Sequence, residues 1–260
     1  MTPLLPPADL GPILSIWAHP DDETYLAGGL MAGAVDAGHR VVCVSATAGE
    51  HGTGDPVAWP PARLAPVRRW EAAAAMAVLG VTDHRWLGHP DGGLAAVDPA
   101  RGVAQVADLI DEVEPETIVT FGPDGATFHP DHRTISGWVT EAWRATGGRS
   151  RLLHAAASVD HLLRWGPLYE EWGIYMSEER PVGRRPDELA VALRLSGPAL
   201  DRKVAALRAM ATQVAPAVRL LGEERFRDSN REECFVAVPA PVERDTDRPV
   251  PVAAGGHRQG

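Results

Sequence analysis

The chain is short of four things, and each absence narrows its chemistry. Only two cysteines, Cys43 and Cys234, occur in 260 residues, both within apolar runs. They read as buried thiols, so neither a disulfide framework nor a cysteine-rich zinc site is available. Basic residues are outnumbered: 25 Lys and Arg stand against 35 Asp and Glu, a formal net charge of -10. A nucleic-acid footprint is usually basic, so no nucleic-acid partner is expected. The acidic excess speaks to solubility. No apolar run reaches about 18 residues, and the chain does not open on a charged segment followed by an apolar one. A cytoplasmic protein with no membrane span is the expectation. Last, Gly28-Gly29 with Gly33 does not form the G-x-G-x-x-G loop that cradles dinucleotide phosphates.

What is present is alternation. Apolar, β-branched runs at Ile13–Ala18, Arg40–Ala46, His84–Leu87 and Thr117–Phe121 read as strands. Helical patterns fill the intervals, at about Tyr25–Ala37, Val67–Leu79, Ala100–Val113 and Asp131–Ala145. Four such alternations predict an α/β fold, a doubly wound and mostly parallel sheet with helices on both faces. A long loop, Thr47–Pro66, interrupts the series, and loops of this length are usually functional or mobile. Beyond residue 150 the pattern weakens. Leu152–Val159, Leu189–Leu195 and Cys234–Val238 read as strands, and Leu200–Gln213 as an amphipathic helix. With 45% hydrophobic residues the chain can bury one sizeable core. We expect one domain over residues 1–238, its part from about 150 shaping the substrate pocket, and a disordered Pro-, Gly- and charge-rich tail over 239–260.

Two short motifs carry chemistry: His19-Pro20-Asp21-Asp22-Glu23 and His129-Pro130-Asp131-His132. Each follows a strand, and ligands of open α/β folds bind beyond the carboxyl ends of strands where the strand order reverses. If the first and fourth strands are neighbours there, both motifs meet in one crevice. His19, Asp22 and His132 then offer three metal ligands of the His and carboxylate type, leaving a fourth position for water. Asp21 stands beside them as a free carboxylate, suited to general base. His129, three residues before His132, can stabilise an oxyanion or protonate a leaving amine. Asp131 can orient a neighbouring imidazole. Two histidines and a carboxylate also compose the facial triad of non-haem Fe(II) oxygenases, though an all-β jelly roll is their usual host.

The paired motifs, with Ala18 before the first, resemble the LmbE-like (PIG-L) deacetylase family. The likeness is strongest over Ile13–Trp138 and continues as an echo in Lys203-Val204-Ala205-Ala206-Leu207 and Thr212-Gln213. It implies a Rossmann-like fold, Zn2+ (or Fe2+ or another divalent ion in its place), and hydrolysis of N-acetyl groups on N-acetylglucosaminyl compounds. Carried over, it makes His19, Asp22 and His132 the metal ligands, Asp21 the base, and His129 the stabiliser and acid. It further implies that Gly49-Glu50, Arg68 and Asp91 hold a small amino-sugar substrate, with Arg69 beside Arg68 leaving the register open. Hydrolysis of another C–N bond, such as a thiol-conjugate amide, is the alternative within the family. One departure stands out: members acting on the inositol-linked amino sugar of mycothiol synthesis carry a tyrosine where this chain has Thr127. Glu23 is expected to bond the helix start, and His39, His84, His89, His154 and His161 to lie on the surface or in loops. Trp165, Tyr169, Trp172 and Tyr175 would pack or, if exposed, fit an interface between copies of the chain.

Overall fold

The structure, a computed structural model, describes residues 4–240. Seven strands form one sheet in the order β3-β2-β1-β4-β5-β7-β6. The first five are β1 (Ile13–Trp17), β2 (Val41–Ser45), β3 (Asp83–Trp86), β4 (Thr117–Phe121) and β5 (Arg151–Ala156). All five are parallel to one another where they pair. β6 (Val191–Arg194) and β7 (Glu232–Ala237) close the far edge, with β7 antiparallel to both β5 and β6. Every residue of β1, β2 and β4 is buried. That is what continuous Val/Ile/Leu runs covered on both faces should produce.

Helices cover the sheet in groups. α1 (Asp22–Asp36) and α2 (Pro61–Leu79) pack together with α6 (Gly197–Ala209), while α3 (Pro99–Val113) packs with α4 (Pro130–Ala145). The expected α/β architecture is therefore the observed one, and the jelly roll that an oxygenase would lead one to expect is not this fold. The order reverses between β1, which leads back to β2, and β4, which leads on to β5. Here Ile13, Leu14 and Ser15 register with Thr117, Ile118 and Val119. Trp17 and Phe121 meet edge to face, centroids 4.8 Å apart, a contact of about 0.5–1.5 kcal/mol beyond burial. It ties together the two strand ends from which the motifs depart.

Several boundaries differ from the sequence reading. α2 begins at Pro61 and carries Pro66 inside it, so the long loop stops six residues earlier than expected. The helix expected over Leu200–Gln213 breaks at Met210 into α6 and α7 (Ala211–Leu221), bent by 117°. A further helix, α5 (Val159–Glu171), starts at Ser158, whose hydroxyl accepts the His161 N–H, and α8 (Glu223–Ser229) precedes β7. On α5, Trp165 is buried and the Tyr169 hydroxyl bonds His161, so these two aromatics pack inward; Leu163 and Met176 are among the exposed apolar groups nearby. Among the described residues no single helix is long and apolar enough to cross a membrane. The expected tail lies, beyond Ala240, outside the described residues.

Candidate active site

The first motif is a turn closed on itself. Asp22 Oδ2 accepts the His19 backbone N–H at 2.8 Å, which brings the Asp22 carboxylate to 3.5 Å from His19 Nδ1. α1 starts at Asp22, three residues earlier than the sequence suggested, with Asp22 and Glu23 in its first turn where the helix dipole favours anions. Asp21 occupies the cap position with φ 116° and ψ -34°, a conformation that favours glycine, yet its carboxylate caps nothing. Glu23 does bond the helix start, its Oε2 accepting the Asp21 N–H at 3.0 Å.

The second motif is a helix start. His129 caps α4 by accepting the Asp131 N–H on Nδ1 at 3.1 Å, so the neutral ring carries its proton on Nε2. His132 stacks on Phe121 with centroids 4.2 Å apart and donates from Nδ1 to the Gly125 carbonyl at 2.9 Å. This second bond fixes the tautomer and leaves a lone pair on Nε2. The loop before it is strained: Ala126 and Phe128 have φ of 62° and 63°. Of four non-glycine residues at positive φ among the described residues, three (Asp21, Ala126 and Phe128) flank this site, as expected where strain serves function.

The two motifs converge. His132 Nε2 lies 3.1 Å from His19 Nδ1 and 3.4 Å from Asp22 Oδ1. A tetrahedral ion bound at about 2.0–2.2 Å holds its ligands about 3.3–3.6 Å apart. The three side chains thus approach one another at about the spacing of ion ligands, Asp22 through Oδ2 towards His19 and through Oδ1 towards His132. His129 joins the same cluster, its ring 4.8 Å from that of His19.

A second set of charges backs the first. The outer nitrogen of His19, Nε2, sits 3.1 Å from Asp91 Oδ1 and 3.4 Å from Asp131 Oδ2. Asp131 also accepts the Gly92 and Leu94 N–H groups at 2.8 and 3.1 Å, and Asp91 accepts that of His51 at 2.8 Å. Burial would lower the His19 pKa, but Asp131, Asp22 and Asp91 together raise it well above its ordinary value. Burial pushes Asp21 up to about 7, against the pull of Arg68. Burial also works to raise Asp22, but His132 and His19 outweigh it and hold the carboxyl at about 2.

Arg68, and not Arg69, points inward. Arg68 is 3% exposed and bonds the Gly49 carbonyl, the Pro20 carbonyl and Asp21 Oδ2, whereas Arg69 lies over the Trp86 ring, 4.3 Å from its centroid. Of the three residues expected to hold substrate, Arg68 therefore meets Asp21 and Asp91 meets His19. Glu50 accepts the Asp91 N–H on Oε1 at 3.0 Å, its Oε2 remaining unpartnered. Thr127 Oγ lies 3.3 Å from His132 Nδ1. Among the other described histidines, His84 bonds Ser45, His89 Gln105, His154 Thr140 and His161 Tyr169. His84, His154 and His161 sit in β3, β5 and α5, not in loops.

The description "PIG-L: GlcNAc-PI de-N-acetylase" matches residues 14–143, which include both motifs. Among curated proteins, a 1D-myo-inositol 2-acetamido-2-deoxy-alpha-D-glucopyranoside deacetylase of Kineococcus radiotolerans is 38% identical over 54% of this chain and 46% of its own length, so the chain spans about half of that relative. The enzyme of the same name from Saccharomonospora viridis is 32% identical over 90% of this chain and 98% of its own. Among solved structures, the N,N'-diacetylchitobiose deacetylase of Pyrococcus horikoshii superposes with a TM-score of 0.62, covering 90% of this chain and 86% of that one at 22% identity, a likeness of fold. By the match over residues 14–143 and the relative aligned across nearly its whole length, the chain belongs to the PIG-L family.

Proposed function

We propose that the chain is a zinc-dependent deacetylase that hydrolyses the N-acetyl group of an N-acetylglucosaminyl small molecule to acetate and a primary amine. The observation that carries this reading is the approach of His19 Nδ1, Asp22 and His132 Nε2 to within 3.1–3.5 Å of one another, with Asp21 and His129 adjoining. The names of the relatives supply the substrate class.

His19, Asp22 and His132 would hold the metal, which when bound acts as a Lewis acid and brings the pKa of water towards about 7. Asp21 accepts the proton of the attacking water, its carboxylate having no capping bond to compete. His129 donates a hydrogen bond from Nε2 to the acetamide oxygen as charge develops there, and the proton that Asp21 took from water passes to the departing nitrogen as the C–N bond breaks. Asp131 and Asp91 act through His19, holding its ring from the far side. Glu50, of the expected substrate set, accepts the Asp91 N–H and so sets the loop that carries Asp91.

The test strips the protein with chelator, reloads it with zinc or iron(II), and measures primary-amine release from a panel of N-acetylglucosaminyl compounds. Release that requires metal and proceeds without oxygen supports the proposal and ranks the aglycones. One equivalent of bound metal without amine from any member would move the reading to another C–N bond. Failure to bind metal overturns it.

A further inference from the structure

We propose that Tyr175 and Arg133 are positioning residues for His132: both pack on Phe128 and so hold the strained loop whose Gly125 carbonyl orients the imidazole. The proposal rests on the reading of His132 as a metal ligand.

The aim of His132 depends on the loop before it. Its Nδ1 donates to the Gly125 carbonyl at 2.9 Å, and the same carbonyl accepts the Thr127 N–H at 2.7 Å. That second bond closes a three-residue turn about Ala126, which stands at φ 62°; turns of this length with a positive central φ are rare and strained. Gly125 is at φ 67°, and a Cβ there would come within 2.8 Å of the His132 Cβ, so the close approach needs a glycine. Phe128, at φ 63°, is an outlier for a bulky side chain. Such a run persists only where its surroundings over-determine it. The carbonyl that fixes the His132 tautomer is therefore only as well placed as the contacts that hold this loop.

Those contacts come from residues 174–180, a strap that follows α5, and from the first turn of α4. The Met176 N–H donates to the Thr127 carbonyl at 2.9 Å, and the Ile174 N–H to the Tyr169 carbonyl at 3.1 Å, which ties the strap to α5. Phe128 is 5% exposed. The Arg133 guanidinium lies over its ring, 5.0 Å from the centroid, and the Tyr175 ring meets it edge to face at 6.1 Å. Arg133 follows His132 on α4, so one helical turn carries both the imidazole and a side chain that pins the loop. The strap is braced from outside: Arg180 lies 5.2 Å from the Tyr175 centroid and donates to the Ser177 and Glu179 carbonyls at 2.8 and 2.7 Å. Glu179 also pairs with Arg133 at 2.7 Å, but exposed pairs contribute little, and the two groups on Phe128 carry the effect.

The test is zinc affinity, measured by competition with a chromophoric chelator well below the melting transition. Tyr175→Ala, Tyr175→Phe and Arg133→Met are compared with the parent, alongside melting temperature without metal and KM at saturating zinc. Losing a group that orients a metal ligand typically costs about 10- to 100-fold in metal affinity or activity. We expect Tyr175→Ala and Arg133→Met each to raise the zinc Kd by about 10-fold, the low end because both act through Phe128 and the loop. Tyr175→Phe keeps the ring and should bind zinc as the parent does. KM should not change in any of the three. A parental zinc Kd in Tyr175→Ala or Arg133→Met overturns the proposal, whatever happens to the melting temperature, which a merely structural strap would move alone. So does a raised KM at parental zinc Kd, which would make the strap a wall for substrate. Tyr175→Phe as impaired as Tyr175→Ala would make the hydroxyl the working group and overturn it too. If Tyr175→Ala does not fold, Arg133→Met decides. A parent that binds no zinc removes the metal reading and the proposal with it, whereas a zinc-binding parent beside unaffected variants removes the proposal alone.

Discussion

Two buried charge clusters adjoin α1, one at its N-terminus and one further along, and they differ in how completely they are satisfied. In the further one, Lys203 and Glu233 are both 0% exposed and 2.7 Å apart. Lys203 also donates to the Tyr25 carbonyl at 2.7 Å, and the two Glu233 oxygens accept the Gly29 and Leu30 N–H groups at 2.7 and 2.8 Å. The pair bonds the α1 backbone directly, and every charge there has partners. At the N-terminal end, two imidazole nitrogens face each other over 3.1 Å beside a carboxylate, and His19 Nε2 makes no well-aligned hydrogen bond. A closed set of buried charges is structure; a converging, open one is poised to receive a ligand. The sequence echo at Lys203 is thus explained as an anchor for α1.

The open cluster should not tolerate loss of its groups. His132→Ala should deplete bound metal and abolish amine release. Asp21→Asn should keep the metal and lose about 10²- to 10⁴-fold in turnover, the range of a general base. His129→Ala should likewise retain metal. Equal metal depletion in all three, measured by elemental analysis, would mean that Asp21 and His129 are ligands and the division of roles is wrong.

The closed cluster should respond in stability instead. Lys203→Met leaves Glu233 buried without its cation, a change that typically costs about 3–5 kcal/mol. For a chain of this size that is a melting-temperature drop of order 10 °C. Metal stoichiometry below the transition should not change. A variant that melts like the parent would show the pair to be dispensable, and one that loses metal while still folded would place Lys203 in the site's support.

Metal removal sharpens the contrast further. A ligand bound only by the folded chain adds about 2.7 kcal/mol at 100 times its Kd and about 4.1 at 1,000 times. Chelated protein should melt lower than zinc-loaded protein by a margin that grows with free zinc, and His132→Ala should show no such margin. Zinc-independent melting of the parent would contradict a folded-state site.

Much of this architecture is legible in the amino-acid sequence. The parallel strands β1, β2 and β4 are buried on both faces and read as unbroken apolar runs, which places the switch point and the two motifs beyond it. The second half resists for physical reasons. Its last strands pair antiparallel, α5 and α7 carry Pro167 and Pro216, and a 117° bend at Met210 is hidden in a pattern that runs on smoothly. Within the site, the side chains proposed as metal ligands are those that the spacing inside each motif singles out. The backing residues do not, because Arg68 and Asp91 find Asp21 and His19 only through the conformation of loops that no periodicity describes.

The choice between Arg68 and Arg69 shows where the missing signal lies. The buried face of α2 is Leu64, Arg68, Ala72, Ala75, Met76 and Leu79, steps of three and four, with one adjacent pair, that set its phase. A helix begun at Val67 omits Leu64, and without it Arg68 has no apolar neighbour one turn back to place it on the inward stripe. Pro66 favours the later start, yet it stands in the second turn of α2 without ending the helix. The smallest effect we predict follows from this phase. Arg69 is exposed and stacks over Trp86 at 4.3 Å, a contact of about 0.5–1 kcal/mol at such a site. Arg69→Ala should therefore lower the melting temperature by no more than a few degrees and leave kcat and KM as they are. A fall in kcat would mean that the helix phase does not separate site from surface.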